Sequence, residues 1–190
     1  MTYQAEALSA YPFLLKPVWT SFEDAIFPTA SILGHTNAPA SGVWTTGNTA
    51  VAIPFQVPYS ITVVKLGWVN GSSAGNAWDI GLYNASTNAR LTSIGSTTGS
   101  GNSSWQWVNT ADVTLVPGTP YWLAVNHATT TANNAFGTSA ANAVLGFDLL
   151  AKIKVQAVGA VTLPDPFVPA DPAAAVLIPL CGMAFNTTFV

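Results

Sequence analysis

Few side chains in this sequence are equipped for covalent or acid–base chemistry, and their spacing argues against it. The acids are Glu6, Glu23, Asp24, Asp79, Asp112, Asp148, Asp165 and Asp171. Glycoside hydrolysis needs two carboxylates held across a bond. Only Asp79 and Asp112 fall on expected strands of the central region, and alternation turns both outward into solvent. The two histidines, His35 and His127, lie far apart and have no neighbour at metal-ligand spacing. His127 continues a strand face and reads as a structural, hydrogen-bonded residue. The one G-x-S-x-G spacing, Gly71-Ser72-Ser73-Ala74-Gly75, falls in a turn between expected strands with no helix to follow, so no nucleophile elbow is expected, and a Gly-rich phosphate loop between strand and helix is absent. The single cysteine, Cys181, sits in the apolar run 176–183. It rules out an internal disulfide and reads as a buried, inert thiol. The expectation is a chain that is not an enzyme, with no cofactor and no metal.

Aromatic side chains offer a different chemistry. The sequence holds seven Trp, nine Phe and five Tyr. Trp68 and Trp78 share parity with aliphatic neighbours and belong to the core. Trp122 and Tyr83 take the opposite parity and point outward, with Asn126 on the same strand as Trp122. Such a group can stack on a sugar ring and hydrogen-bond its hydroxyls. It can equally anchor a subunit interface, or lie beneath the chain's own arm.

The elements that position these residues follow from period-two patterning. Val51, Ile53, Phe55 and Val57 alternate with Ala52, Pro54 and Gln56, and Pro54 suggests an edge strand or a bulge. Val64, Leu66 and Trp68 share a face of a strand over 61–70. Trp78, Ile80 and Leu82 alternate with Asp79, Gly81 and Tyr83. Arg90–Gly95 forms a short strand, and 96–104 is a loop rich in Ser, Thr, Gly and Asn. In the strand over 105–113, Trp105 and Trp107 are expected to face inward. Tyr121, Leu123 and Val125 alternate with Trp122, Ala124 and Asn126. Such recurring short strands, with helical spacing absent almost throughout, predict an antiparallel sandwich with one buried face per strand. Further strands are expected over 150–158, 175–178 and 183–189.

The organisation expected is an extended N-terminal arm over 1–45 and an all-β, antiparallel, jelly-roll-like sandwich domain over 46–190. That domain includes a Pro-rich segment over 159–174 and closing C-terminal strands. The arm carries Tyr11, Phe13, Trp19, Phe22 and Phe27. These apolar groups must find cover, either on their own domain or on a neighbouring subunit.

Charge is the most unusual feature. Hydrophobic residues make up 49% of the 190, and charged residues only 7%, against about 25% in ordinary soluble domains. The polar surface must therefore consist of hydroxyls and amides, which suits close packing against neighbours or sugars. Lys16, Lys65, Arg90, Lys152 and Lys154 are scattered, and the net charge is −3. Direct binding to nucleic acid, which relies on clustered cations, is not expected. No apolar run reaches the length of a membrane span. Residues 1–10 lack the basic and apolar regions of a secretory leader. Four Asn-x-Ser/Thr triplets, at Asn70, Asn84, Asn102 and Asn186, are what chance gives in such a composition.

Two stretches carry a family pattern: AIPFQVPYSITVVKLGWVNGSSAGNAWDIGLYNASTNARLTSIG, then SWQWVNTADVTLVPGTPYWLAVNH. Together, over about residues 50–128, they resemble the small jelly-roll-like β-sandwich domains of tailed-bacteriophage structural proteins. They are also similar to carbohydrate-binding-like domains of secreted bacterial proteins. The resemblance implies a virion protein assembled in the host cytoplasm: a capsid decoration, head-fibre or tail-associated subunit. Its partners would be other virion proteins and further copies of itself, a trimer being one such form. A carbohydrate-binding or host-adhesion module for a surface glycan is the alternative. No catalytic residues come with the resemblance.

Overall fold

The computed structural model describes residues 25–26, 40–42, 44, 46–57, 59–72, 75–128, 135–139, 153–172 and 177–185. Among the described residues the chain is all-β, without a helix, and its strands pair antiparallel. Tyr11, Phe13, Trp19, Phe22 and Phe27 lie outside the described residues, as does Lys152.

Two sheets face one another. The larger contains β3 (Thr49–Phe55), β5 (Ala77–Asn84), β6 (Arg90–Ser93), β9 (Tyr121–His127) and β11 (Lys154–Ala157), in the order β11-β3-β9-β5-β6. The two-residue β7 (Thr97–Thr98) adds to β5. The smaller sheet has the order β1-β13-β4-β8, from β1 (Ala25–Ile26), β4 (Ile61–Val69), β8 (Trp105–Leu115) and β13 (Cys181–Ala184). A separate three-stranded sheet joins β2 (Ala40–Gly42), β10 (Ala135–Ser139) and β12 (Leu177–Pro179). Strands β3, β4 and β5 belong to alternate sheets, as do β8 and β9, which gives the jelly-roll-like winding.

The core is the gap between the two sheets, filled by one parity of each strand. Val51, Ile53 and Phe55, then Trp78, Ile80 and Leu82, then Tyr121, Leu123 and Val125 come from the larger sheet. Ile61, Val63, Leu66, Trp68, Leu115, Cys181 and Met183 come from the smaller one. At one end, aromatic rings lock together. Trp44 meets Trp78 edge-on at 5.6 Å, Trp78 meets Trp68 at 5.6 Å, and His127 sits edge-on to Trp78 at 4.3 Å. Trp44 is buried and donates its indole N–H to the Thr49 carbonyl at 3.0 Å. A residue within the segment read as an arm is thus part of the core. Residues 25–26 and 40–42 of that segment also pair within their own chain, with β13 and β10.

The strands differ from expectation in three places. The strand expected over 150–158 is described as Lys154–Ala157, and the closing strands as Leu177–Pro179 and Cys181–Ala184. Pro54 lies not on an edge strand but in β3, between β9 and β11. It is tolerated because β11 pairs only Thr49–Ala52 and stops short of it. In β4 the core residue is Val63, fully buried, while Val64 is only partly so. The cause is an irregularity in pairing with β8. Val63 pairs with Val113 but Lys65 pairs with Asn109, so Thr110, Ala111 and Asp112 bulge opposite Val64. A bulge of this kind reverses which face a strand presents.

Trp78 touches three aromatic partners and is 1% exposed. Trp78→Ala is expected to destabilise the fold by about 3–5 kcal/mol, the usual cost of deleting a buried aromatic. Urea unfolding followed by circular dichroism measures it, with an unchanged m-value as the sign that the fold is otherwise retained.

Candidate functional site

The outer face of the larger sheet is the first place to look, because Tyr83, Trp122 and Asn126 lie on it. Their outward parity holds. Asp79 pairs with Asn126 and Tyr83 with Trp122, with Gly81 and Ala124 between them. Their exposure does not hold. Tyr83 and Asn126 are fully buried and Trp122 is half-buried. Asp79, expected in solvent, is also fully buried. Asp112, by contrast, is exposed.

The cover is the chain's own Pro-rich segment, which runs as a strap from Val158 to Ala170. Small residues form its trough: Ala50, Ala52 and Ala124 pack with Tyr83 against Leu163 and Phe167. At Gly81 a Cβ would stand 3.1 Å from the Leu163 side chain and 2.9 Å from the Thr92 carbonyl, so a larger residue would crowd the strap.

Polar groups on the sheet match polar groups of the strap backbone. Asn126 donates through Nδ2 to the Ala160 and Val161 carbonyls at 2.8 and 2.7 Å. The Leu163 amide donates to Asp79 Oδ2 at 2.7 Å. Tyr83 donates its hydroxyl to the Pro164 carbonyl at 2.6 Å. Arg90 donates from Nη1 to the Leu163 carbonyl at 2.6 Å, and its own amide donates to Asp165 Oδ1 at 3.0 Å. Val155 and Ala170 exchange two backbone bonds at the far end, flanked by the Lys154–Asp171 ion pair at 2.5 Å. Every one of these partners is internal, so this face is closed by the protein itself.

Burial sets the ionisation here. Desolvation raises the Asp79 carboxyl from 3.8 to about 6, against the smaller opposing pulls of the Leu163 amide and the Arg90 guanidinium. Desolvation likewise pushes the Tyr83 phenol well above its usual value. Among the described residues no three His, Cys, Asp or Glu side chains gather in a group that could hold a metal ion.

The second place is the edge strand β8 of the smaller sheet. Trp105 and Trp107, which share the odd parity of Val113 and Leu115, were expected inside. The bulge opposite Val64 reverses that parity. Val108 packs on the core, and Trp105 and Trp107 turn out. They stack with ring centroids 5.0 Å apart and planes 11° from parallel. Trp105 is 36% exposed. Trp107 pairs with Gly67 and lies against it: a Cβ there would be 2.4 Å from the indole ring. Beside the stack opens a cleft of about 520 Å³, lined also by Lys65, Thr98, Ser100, Ser104 and Gln106.

The cleft's loop is held from beneath. Asn70, buried, accepts the Trp68 indole N–H at 2.9 Å and donates to the Ser100 and Gly101 carbonyls at 3.2 and 3.1 Å. Gln106 accepts the Ser100 amide at 2.9 Å and donates back to the Ser100 carbonyl at 2.6 Å.

No family model, curated protein or solved structure matches this chain.

The site therefore rests on geometry alone. The structure separates the sequence-selected trio from the surface: Tyr83, Trp122 and Asn126 hold the strap. It brings out a pair that alternation had assigned to the core. The usable signal in the sequence was the spacing W-Q-W beside a hydroxyl-rich loop, and the bulge that exposes it left no comparable mark.

Asp79 gives a pH test with a definite sign. Its folded-state pKa is raised, so the folded protein holds this proton more tightly than the unfolded chain. The associated stability is fully present below about pH 4 and lost as pH rises through about 6. The expected loss is about 3 kcal/mol at most. Asp79→Asn keeps an acceptor for the Leu163 amide and removes the titration. The variant is expected to be more stable than the parent above pH 6 and to converge with it near pH 4. Urea midpoints for both proteins across pH 4–8 measure this difference.

Proposed function

We propose that the chain is a non-enzymatic structural protein of a bacteriophage virion, a sandwich subunit that works by contact with its neighbours on the particle. The observation that carries this reading is where the charge goes. Of the ionisable residues on described positions, Asp79, Arg90, Lys154, Asp165 and Asp171 all serve the strap. Only 7% of the residues are charged, so the polar groups of the chain are mostly hydroxyls and amides, and a surface of these packs against a neighbour without desolvating ions, which is costly. The patterned stretches over about 50–128, similar to phage structural domains, support the same assignment. The aromatic residues of the N-terminal segment are the proposed anchor, in a homo-oligomer or on another capsid or tail protein.

Particles purified on a density gradient from a lysate in which the gene is expressed are expected to contain the chain in stoichiometric amounts by mass spectrometry. Removing residues 1–23 deletes Tyr11, Phe13, Trp19 and Phe22 and stops short of β1. The shortened protein is expected to keep its cooperative unfolding transition and to fall out of the particle fraction. Particles that lack the intact protein, or that take up the shortened one equally well, would overturn the proposal.

A further inference from the structure

We propose that residues 160–168 form a proton-governed lid, which closes over the outer face of the larger sheet while Asp79 is protonated and lifts locally, with the sandwich intact, once it is ionised. The inference stands independently of the particle assignment.

The first ground is how the strap is fixed. Its two ends are tied by backbone bonds. The Val158 amide donates to the Asn48 carbonyl at 2.9 Å, and Val155 and Ala170 exchange bonds at 2.8 and 3.0 Å. Gly159 follows the first tie with a φ of 70°, and a Cβ there would meet nothing, which leaves a pivot. Between the ties, residues 160–168 form no strand. Single hydrogen bonds and the side chains of Leu163 and Phe167 hold them down. Segments held in this way open at a lower free energy than the whole fold.

The second ground is what lies beneath. Asp79 is fully buried, its Oδ2 accepts the Leu163 amide, and its Oδ1 has no hydrogen-bond partner. Among the described residues no charged group forms an ion pair with it. Arg90, on β6, donates to the Leu163 carbonyl. Lys154, on β11, pairs with Asp171 beyond the lid. Tyr83, further along the same face of β5, donates to the Pro164 carbonyl, and burial pushes its phenol up. Asp165, in the lid itself, brings a second carboxyl, which accepts the Arg90 amide. His127, on β9, lies on the other side of the sheet against Trp78. An anion enclosed in this way is costly, and lifting the lid lets water reach it.

The sign follows from proton linkage. The Leu163, Gly95 and Ile80 amides and the Arg90 guanidinium favour the anion, but burial outweighs them and holds Asp79 at about 6 rather than 3.8. The closed lid therefore binds the proton more tightly than the open one, and opening releases it. The opening equilibrium is flat below about pH 4, rises with pH, and levels off above about 6, after a gain of up to about a hundredfold. Opening uncovers Ala50, Ala52 and Ala124 together with Tyr83 and Asn126.

Global unfolding also hydrates Asp79, so the test must separate local from global opening. Amide hydrogen exchange of the full chain is followed by NMR at pH 4 and pH 7 in rising urea, corrected for intrinsic rates. The Leu163 and Phe167 amides are expected to lose protection by about a hundredfold at pH 7, with little dependence on urea. The Leu123 and Val125 amides should exchange more slowly, in a steeply urea-dependent event. In the parent protein the loss should level off where the carbon-13 shift of the Asp79 carboxyl shows it titrating. Asp79→Asn should make lid protection equal at the two pH values, whereas Asp165→Asn should leave the difference in place. Three outcomes would overturn the inference: lid amides that open only with the core, a loss of protection unrelated to the Asp79 titration in the parent, or a pH dependence that survives Asp79→Asn. The parent titration decides the matter even if Asp79→Asn does not fold.

Discussion

A β-strand shows alternate residues to alternate sides, and this molecule depends on one place where that rule is interrupted. Three residues of β8 bulge opposite Val64, between the pairs Val63–Val113 and Lys65–Asn109. On one side of the interruption, odd-numbered residues of β8 such as Val113 and Leu115 meet the core. On the other, the even-numbered Val108 does. β4 changes parity in step, from Val63 to Leu66. Because both strands change together, the core stays continuous while the tryptophans at 105 and 107 are turned out. Without the bulge, either the tryptophans would have to enter a gap already filled by Trp68 and Trp78, or the upper half of β4 would put Leu66 and Trp68 into water. Each alternative would cost several kcal/mol of apolar burial.

The two sheets solve the problem of a second face in opposite ways. The larger sheet has a trough of Ala and Gly along its outer side, with three polar groups set into it. A buried carboxyl, amide and phenol would each be costly if unpaired. The strap reaches all three with backbone atoms, which are available at every residue and need no matching side chains, and only Asp79 Oδ1 of these groups is left without a hydrogen-bond partner. That economy explains how a segment rich in proline can close a sheet. Proline lacks a donor but keeps its carbonyl, and Pro164 is used in that way by Tyr83. Its apolar contribution is concentrated in Leu163 and Phe167, both 1% exposed.

Much of this was legible in the sequence. Alternation alone places Val51, Ile53, Ile80, Leu82, Leu123 and Trp68 in the core, because sheet pairing and burial both act with a period of two. What alternation cannot report is anything that depends on two strands at once or on distant cover. Parity says that Asp79, Tyr83 and Asn126 point away from the inter-sheet gap, and it is right. It is silent on whether water or another segment lies beyond them, which is why Asp79 was expected in solvent. The bulge is invisible for a similar reason. It is a mismatch in count between β4 and β8, and neither strand carries a glycine or proline at the bulged positions to mark it.

The treatment of the aromatic residues bears on what the exposed pair is for. Trp44, Trp68, Trp78 and Tyr83 are all buried to within 1%, and Trp122 is packed beneath the strap. The chain thus has both the means and the habit of covering large rings. Trp105 and Trp107 are cantilevered on an edge strand instead, with a glycine beneath one ring and a braced loop beside the other. Nothing in the core compels it, since the parity change at the bulge would be met equally well by threonine at both positions. A rigid stack next to a hydroxyl-lined hollow is therefore a feature of the edge strand that the core itself does not demand.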